Sequence, residues 1–256
     1  MILSVDAVSL AGPVRENNED LLSIAGRMLR DKALRVTDEE TGEYWYAFVA
    51  DGMGGQDKGE EASAELQEHL RDCFSFGDFS EEDFEGDFIR SVEYVSAKLN
   101  ARSAYLELER PMGTTLCGVV WFHGRLYMVN AGDSRIYRWR DGLLEGLSED
   151  QVDDGGLLTN CVGGGLKGTP VVREITGEVR EDDVLVICSD GVSRFVPEDE
   201  IEYYLTVSGR PAEDLCDRAF VNGGDDNASV AVIKVGGGEF GDGEGPDDDG
   251  RWDWAA

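Results

Sequence analysis

An aspartate followed by closely spaced glycines is the feature of this sequence best suited to chemistry. Asp51-Gly52-Met53-Gly54-Gly55 follows the apolar, β-prone run Tyr44–Ala50, and a helical pattern begins near residue 59. Glycines let the backbone turn with positive φ or approach a bound group closely. A carboxylate at this position would suit a hard cation or a phosphate. An ordinary tight turn with a helix-capping aspartate accounts for the same residues equally well.

Two further segments place carboxylates at the ends of predicted strands. Asp190-Gly191 follows the aliphatic run over residues 183–188, and Asp225-Asp226-Asn227 precedes the run over 228–235. Carboxylates brought together raise one another's pKa unless a cation neutralises them, so a shared rim of such residues predicts bound metal. Oxygen ligands without a histidine or cysteine cluster favour Mg²⁺ or Mn²⁺ over Zn²⁺.

The loop over residues 12–20 combines a cation with amides and carboxylates. It holds Arg15, followed by Glu19 and Asp20 just before the next predicted strand. A guanidinium can grip a phosphate with two hydrogen bonds while carboxylates hold metal-bound water. The loop therefore suits phosphate chemistry, although a solvated turn rich in Asn and Asp is the ordinary alternative.

Composition limits the class of protein. The chain has 256 residues, 41% of them hydrophobic, which suffices for one large domain or two small ones. A net charge of -31 predicts a surface that repels nucleic acid and anionic membranes. No apolar run approaches the ~18 residues of a membrane span, and no leader is seen, so we expect a cytoplasmic protein. The five cysteines lack CxxC spacing, which argues against a disulfide framework or a zinc site.

Apolar periodicity predicts an α+β chain. Strands are predicted over residues 2–9, 21–25, 44–50, 113–122, 125–131, 134–140, 143–147, 183–188 and 228–235, with those from 113 to 147 forming an antiparallel meander. Helices are predicted over 60–74, after Ser80 with Asp83 completing the cap, and over 197–207 and 211–222. Residues 27–43 form a polar excursion, a hairpin or long loop, with no function assigned. Residues 236–256, rich in Gly and Asp and carrying Trp252 and Trp254, are predicted to be a disordered tail.

Taken together, these segments resemble a known family. They are Gly12-Pro13-Val14-Arg15, Asn18-Glu19-Asp20, Val49-Ala50-Asp51-Gly52-Met53-Gly54-Gly55, Gly59-Glu60, Gly113-Thr114-Thr115, Ala131-Gly132-Asp133-Ser134-Arg135, Ser189-Asp190-Gly191 and Asp226-Asn227. In this order they resemble the metal-dependent protein serine/threonine phosphatases, the protein phosphatase 2C or PPM family, in its compact bacterial form. Each motif is weak alone, and the ordered set is specific.

The resemblance implies a fold and a site. The fold is a central β-sandwich of two antiparallel sheets flanked by α-helices, within a phosphatase domain over residues 1–235, and a two-metal centre lies at one end of the sandwich. The implied roles are Asp51 bridging both metals, Gly52 offering its carbonyl, Asp190 and Asp226 holding the first metal, Asp20 and Glu19 ordering the waters of the second, Arg15 gripping phosphate, and Asp133 sharing a third, weaker metal with Asp190.

The implied activity is hydrolysis of phosphoserine and phosphothreonine in proteins. Two Mn²⁺ or Mg²⁺ ions would activate a water by lowering its pKa towards ~7. The expected partners are phosphorylated proteins, a Ser/Thr kinase or its targets, and the expected state is a monomer. The alternative interpretations are a catalytically weak or inactive phosphatase-like protein that serves as a binding or scaffold protein, and a small-molecule phosphomonoesterase.

Two departures from the family pattern affect this prediction. Met53 and Gln56 stand where relatives carry a histidine near the metals, and a general acid of that kind contributes ~10²–10⁴-fold to rate. His69 and His123 fall in a predicted helix and a hairpin turn and do not replace it. The segment between residues 148–151 and residue 157 is also short, whereas relatives insert a flap subdomain there. We therefore expect a short or absent flap and a more open site.

Overall fold

The computed structural model describes residues 1–54 and 58–240. In chain order the strands are β1 (Ile2–Leu10), β2 (Leu21–Ile24), β3 (Arg27–Leu29), β4 (Lys32–Glu40), β5 (Tyr44–Ala50), β6 (Gly52–Met53), β7 (Gly113–Thr114), β8 (Leu116–Phe122), β9 (Arg125–Ala131), β10 (Arg135–Arg140), β11 (Leu143–Gly146), β12 (Val162–Gly163), β13 (Val171–Glu174), β14 (Val184–Cys188) and β15 (Ala228–Val235). The helices are α1 (Lys58–Phe76), α2 (Phe84–Tyr105), α3 (Asp190–Ser193), α4 (Glu198–Val207) and α5 (Pro211–Val221).

Two six-stranded antiparallel sheets form the body of the molecule. One has the order β11-β10-β14-β15-β1-β4 and the other the order β13-β9-β8-β5-β2-β3. A small sheet, β12-β7-β6, lies beside them. The predicted α+β sandwich is therefore confirmed.

Strand β5 shows why the molecule has layers of helices outside the sheets. Trp45, Ala47 and Val49 belong to the apolar cluster between the two sheets. Tyr46 and Phe48 alternate with them and pack against α1 and α2. Successive strand side chains point to opposite faces, so a strand that is apolar at every position must be covered on both sides. A third cluster joins the outer face of the other sheet to α4 and α5.

The second helix is capped by a different residue from the one predicted. Asp83 is the N-cap, and its carboxylate accepts a hydrogen bond from the Gly86 N–H at 3.3 Å. Ser80 accepts a bond from the Asp83 N–H, also at 3.3 Å, so it orders the residue that caps the helix. The predicted apolar face, including Phe88 and Leu99, is buried as expected.

The polar excursion over residues 27–43 is more regular than predicted. Strand β3 pairs with β2 at the edge of one sheet, whereas β4 pairs with β1 at the edge of the other. Arg30 and Asp31 form the turn that joins them. Every side chain of β4 is exposed or half-buried at that edge, which explains why its sequence lacks an apolar alternation.

The prediction of one continuous meander is wrong. Strands β8 and β9 pair in one sheet, while β10 and β11 pair in the other. The chain crosses between the sheets at Gly132, whose φ of +128° suits only glycine. Local sequence signals identify strands but do not say which sheet each one joins. The crossing places Asp133 where the two sheets meet.

The described chain continues past β15. The N–H of Gly236 donates to the Ile2 carbonyl at 2.9 Å, and the Arg35 guanidinium lies 5.8 Å from the ring centre of Phe240. The rest of the predicted tail, residues 241–256 with both of its tryptophans, lies outside the described residues. No helix of residues 1–54 or 58–240 combines the length and apolar composition that crossing a bilayer requires.

Candidate active site

Antiparallel register brings the predicted acidic residues to one end of the sandwich. Leu21 pairs with Ala50, so the start of β2 adjoins the end of β5. Cys188 pairs with Val230 in the same way, which sets the end of β14 beside the start of β15. The acidic residues stand just beyond these strand ends. They surround a cavity of about 250 Å³, whose lining includes Arg15, Glu19, Asp51, Gly52, Asp133, Asp190 and Asp226.

Asp51 is held by its backbone at the centre of this end. Its N–H donates to the Thr115 hydroxyl at 3.0 Å, and its carbonyl accepts from the Thr115 N–H at 2.8 Å. Burial raises the pKa of the Asp51 carboxyl well above its usual value, and the charges of the other aspartates, with Asp20 and Asp190 foremost, raise it further. The negative charges are thus close enough to oppose one another, as a cation site requires.

Asp20 lies buried behind the cavity lining. The Ser189 hydroxyl donates to its carboxylate at 2.8 Å. Burial raises the pKa of Asp20 to about 7, against the lowering effect of hydrogen bonds from Ser229 and Ser189, and the charge of Asp190 adds to the rise. Its neighbour Glu19 accepts a bond from the Gly59 N–H at 3.2 Å, at the start of α1.

Asp133 occupies the cavity wall at the crossing between the sheets. Burial raises the pKa of Asp133 to about 6, and the nearby Asp190 charge raises it as well. The structure therefore brings Asp133 and Asp190 together, although they are remote in the sequence.

Two arginines contact carboxylates of this group. Arg15 Nη2 lies 2.8 Å from Asp226 Oδ2, and its Nε donates to the Asp225 carbonyl at 3.2 Å. Arg194 Nη1 lies 3.2 Å from Asp190 Oδ2. Both guanidiniums are substantially exposed, so these ion pairs can exchange partners at little cost.

Glycine is sterically required at two places in the site. A Cβ on Gly52 would lie 2.2 Å from the Gly59 carbonyl oxygen, and one on Gly191 would lie 1.9 Å from the Asn227 carbonyl oxygen. Both contacts are with backbone, which has little room to move. These glycines therefore allow the strand ends, the start of α1 and the loop before β15 to approach one another.

The donor set fits a hard divalent cation. Its side-chain donors are carboxylate oxygens, some of them buried with raised pKa, which is the environment that a bound cation stabilises. Within the part of the chain that the structure describes, no three Asp, Glu, His or Cys side chains are already arranged to hold one ion. Asp190 and Asp226 are paired instead with Arg194 and Arg15, contacts that would compete with a cation for these carboxylates.

The histidines lie away from the cavity. His69 Nε2 is 3.0 Å from the Ser91 hydroxyl between α1 and α2, and His123 Nδ1 is 2.9 Å from Glu81 at a turn. Met53 lines the cavity where relatives are expected to carry the imidazole. Gln56, the other position in that comparison, lies outside the described residues.

The expected short flap is a compact turn. Val152 bridges to Leu158, and Asp153 accepts from the N–H groups of Gly155 and Leu157, each at 2.9 Å. Gln151 ties the turn to the end of β9, because its side-chain oxygen accepts from the Gly132 N–H at 2.9 Å. Leu158 reaches the cavity wall, whereas Leu157 is exposed.

The sequence interpretation missed Arg194 as a residue of the site. It follows Asp190 by four residues as the C-cap of α3, a four-residue helix too short to show apolar periodicity. The spacing of an aspartate and an arginine by one helical turn was the available signal, since such residues meet on a helix surface.

Comparisons with known proteins agree with this architecture. The serine/threonine phosphatase of S. agalactiae superposes with a TM-score of 0.77 at 23% identity, covering 91% of this chain and 99% of that one. The catalytic domain of the serine/threonine protein phosphatase PstP, solved with 2 manganese ions, gives a TM-score of 0.70 at 29% identity, covering 91% and 98%. The first of these likenesses shows the fold alone.

The sequence also matches a family and a curated relative. PstP of Mycobacterium tuberculosis is 29% identical over 257 residues, which cover 92% of this chain but 45% of that protein, so the chain spans about half the length of this relative. The model of the family described as protein phosphatase 2C matches residues 24–215, a range that excludes Arg15, Glu19, Asp20 and Asp226. That match spans well over half of the 256 residues, and this chain belongs to the protein phosphatase 2C family.

Proposed function

We propose that this chain is a protein phosphatase that hydrolyses phosphoserine and phosphothreonine with the help of two divalent ions, Mn²⁺ or Mg²⁺. The observation that carries the proposal is the convergence of Asp51, Asp133, Asp190 and Asp226 on one cavity with Arg15 at its wall. Metal ions in such a site polarise the phosphoryl group and generate a nucleophile from water at neutral pH.

The proposed ligands follow from position. Asp51 would lie between the two ions, with the Gly52 carbonyl beside it, and Asp190 and Asp226 would hold the first. Asp20 and Glu19 would order the waters around the second. The raised pKa of Asp51 and Asp20, caused first by burial, supports this assignment because bound cations stabilise the charged form that the protein alone disfavours. Asp133 and Asp190 would share a third ion.

Arg15 would bind the substrate phosphate. Its fork of donors suits two phosphate oxygens, and its exposure allows it to leave Asp226 when substrate arrives. The cysteines do not suit a covalent route, because all five are buried and burial raises the pKa of each thiol. The residues therefore support direct attack by water.

The substrate would be a phosphorylated protein, with a Ser/Thr kinase or its targets as the natural partners. All proposed ligands come from one chain, so the proposed site needs no partner subunit, and we propose a monomer. The short turn at residues 152–158 and Met53 at the cavity favour a second candidate, a phosphomonoesterase acting on small molecules with good leaving groups.

The test is Mn²⁺-dependent hydrolysis of p-nitrophenyl phosphate and of a phosphothreonine peptide. Asp51→Asn and a chelator should each abolish both activities. Asp141→Asn, which removes an exposed carboxylate paired with Arg180, is the matched control and should retain them. Hydrolysis of the aryl phosphate alone would favour the phosphomonoesterase. Absence of both activities in the wild type with Mn²⁺ present would contradict the proposal and favour a scaffold protein.

A further inference from the structure

The turn between β3 and β4 reaches from an edge of the sandwich to the acidic site. Asp31 adopts the left-handed conformation with φ of +51°, which aspartate tolerates better than most residues. Its carboxylate accepts from the Ala11 N–H at 2.8 Å and from the Asn18 side-chain amide at 3.2 Å. The turn is thereby attached to both ends of the loop that carries Arg15.

Arg30, the other residue of the turn, joins that loop to helix α1. Its Nε donates to the Asp20 carbonyl at 3.1 Å, and its Nη2 donates to the Ser63 hydroxyl at 2.8 Å and to the Glu60 carbonyl at 3.2 Å. Its Nη1 lies 2.6 Å from the Glu60 carboxylate. The side chain is only 19% exposed. One guanidinium thus bridges the Asp20 backbone and the first turns of α1.

The partners of Arg30 are themselves bonded to Glu19. The buried Ser63 hydroxyl donates to the Glu19 carbonyl at 2.7 Å, and the Gly59 N–H donates to the Glu19 carboxylate at 3.2 Å. The backbone of Glu19 and Asp20 is therefore bonded to Ser63 and Arg30, respectively. A rotation of this loop would break several bonds at once.

We propose that Arg30 is a positioning residue, which orients the carboxylates of Glu19 and Asp20 for the second divalent ion without touching that ion. This inference rests on the proposed function. Groups that orient metal ligands through hydrogen bonds typically contribute about 10–100-fold to metal affinity. Lysine cannot replace this residue fully, because an ammonium lacks the planar fork that reaches acceptors on both segments.

The experiment measures Mn²⁺ binding to the full chain by isothermal titration calorimetry. Arg30→Ala should weaken the second Mn²⁺ by about tenfold, the low end of that range because Glu19 and Asp20 would hold the waters of the ion, with the first ion little changed. The Mn²⁺ concentration for half-maximal aryl phosphatase activity should rise by the same factor, while kcat at saturating Mn²⁺ stays near the wild-type value. Arg27→Ala is the matched control, since Arg27 lies in β3 and pairs with Glu39 at 2.8 Å away from the cavity; it should bind both ions normally.

The outcomes separate the two proposals. A wild type that binds no Mn²⁺ contradicts the proposed function, and this inference with it. A wild type that binds two ions, with Arg30→Ala binding both equally well, overturns the positioning role alone. If circular dichroism shows that Arg30→Ala does not fold, Arg30→Lys decides. Weakened binding of the second ion by this folded variant supports the role, and wild-type binding overturns it.

Discussion

The guanidinium of Arg15 lies 2.8 Å from the carboxylate of Asp226, so the residue proposed to grip phosphate and a residue proposed to hold metal share one contact. A cation at Asp226 would compete with Arg15 for this carboxylate, and a bound phosphate would compete with Asp226 for the guanidinium. Uptake of a cation by Asp226 would release Arg15, and the released guanidinium would then be available to substrate. The ion pair therefore links metal binding to phosphate binding within one pair of side chains.

Replacing Arg15 should separate these two functions. Charge-assisted hydrogen bonds are worth about 1.5–3 kcal/mol, so Arg15→Ala should lower kcat/KM for a phosphothreonine peptide by roughly 10–100-fold. Mn²⁺ affinity, measured by calorimetry, should be unchanged or improved, because Asp226 loses its competing partner. Arg27→Ala should change neither quantity. An unaltered kcat/KM in Arg15→Ala would remove Arg15 from the proposed site.

The second arginine of the site should influence metal binding and leave folding nearly unchanged. Arg194 is 60% exposed and pairs with Asp190, and exposed pairs contribute about 0–1 kcal/mol to stability. Arg194→Ala should therefore alter the free energy of unfolding by less than about 1 kcal/mol. It should lower the Mn²⁺ concentration needed for half-maximal activity, because Asp190 becomes free to turn to the ion.

A matched control for Arg194 is available at the start of α5. Arg210 is 58% exposed and pairs with Glu213 at 2.9 Å, so Arg210→Ala removes a comparable ion pair away from the cavity. It should leave the Mn²⁺ dependence at the wild-type value. Equal Mn²⁺ dependence in the two variants would show that the contact between Arg194 and Asp190 does not limit metal binding.

Much of the fold could be predicted because local signals were strong. β5 is apolar or aromatic throughout, and β15 is apolar except at Ser229 and Lys234. At the site, an Asp-Gly pair follows β5 and an Asp-Asn pair precedes β15. β4 gave no such signal, because an edge strand can satisfy its backbone with β1 while its side chains stay polar. Strand periodicity also left open which sheet β10 joins, a matter decided by packing across the sandwich.

The acidic residues of the site could be predicted by type, and their neighbours could not. An aspartate next to glycine at a strand end is visible in one sequence. Arg30 reaches Asp20 and Ser63 through a turn between two sheets, and that relationship appears only when both sheets are assembled. The contact between Arg194 and Asp190 likewise depends on α3, a helix of only four residues. Residues that position other side chains are thus harder to predict from the sequence than the acidic residues themselves.

Gly52 should tolerate no side chain. A Cβ at this position would lie 2.2 Å from the Gly59 carbonyl oxygen and would force β6 away from the start of α1. Overpacking of this kind costs about 1–3 kcal/mol or more, so Gly52→Ala should lower the denaturant midpoint and Mn²⁺ affinity together. Gly177→Ala is the control, because its Cβ would meet nothing within 4 Å. Wild-type stability in Gly52→Ala would mean that the strand end can move freely.

The buried carboxyl of Asp6 should give stability a pH dependence unrelated to metal. Asp6 is 6% exposed, and its carboxylate accepts from the Ala212 N–H at 2.9 Å at the start of α5. Burial raises the pKa of Asp6, and the opposing effects of the Ala212 bond and the nearby Arg35 do not cancel it; Glu213 raises it slightly further. The folded protein therefore keeps this proton at pH values where the unfolded chain has released it.

The sign follows from proton linkage. Since the folded state binds more protons, this group makes stability fall as pH rises from the ordinary value of 3.8 through the raised pKa. Asp6→Asn keeps an acceptor for Ala212 and removes the ionisation, so its stability relative to wild type should improve between pH 4.5 and pH 7.5. Urea unfolding in EDTA measures this, with Asp141→Asn controlling for the loss of one exposed negative charge. A constant difference between Asp6→Asn and wild type across that range would mean that Asp6 ionises without penalty in the folded protein.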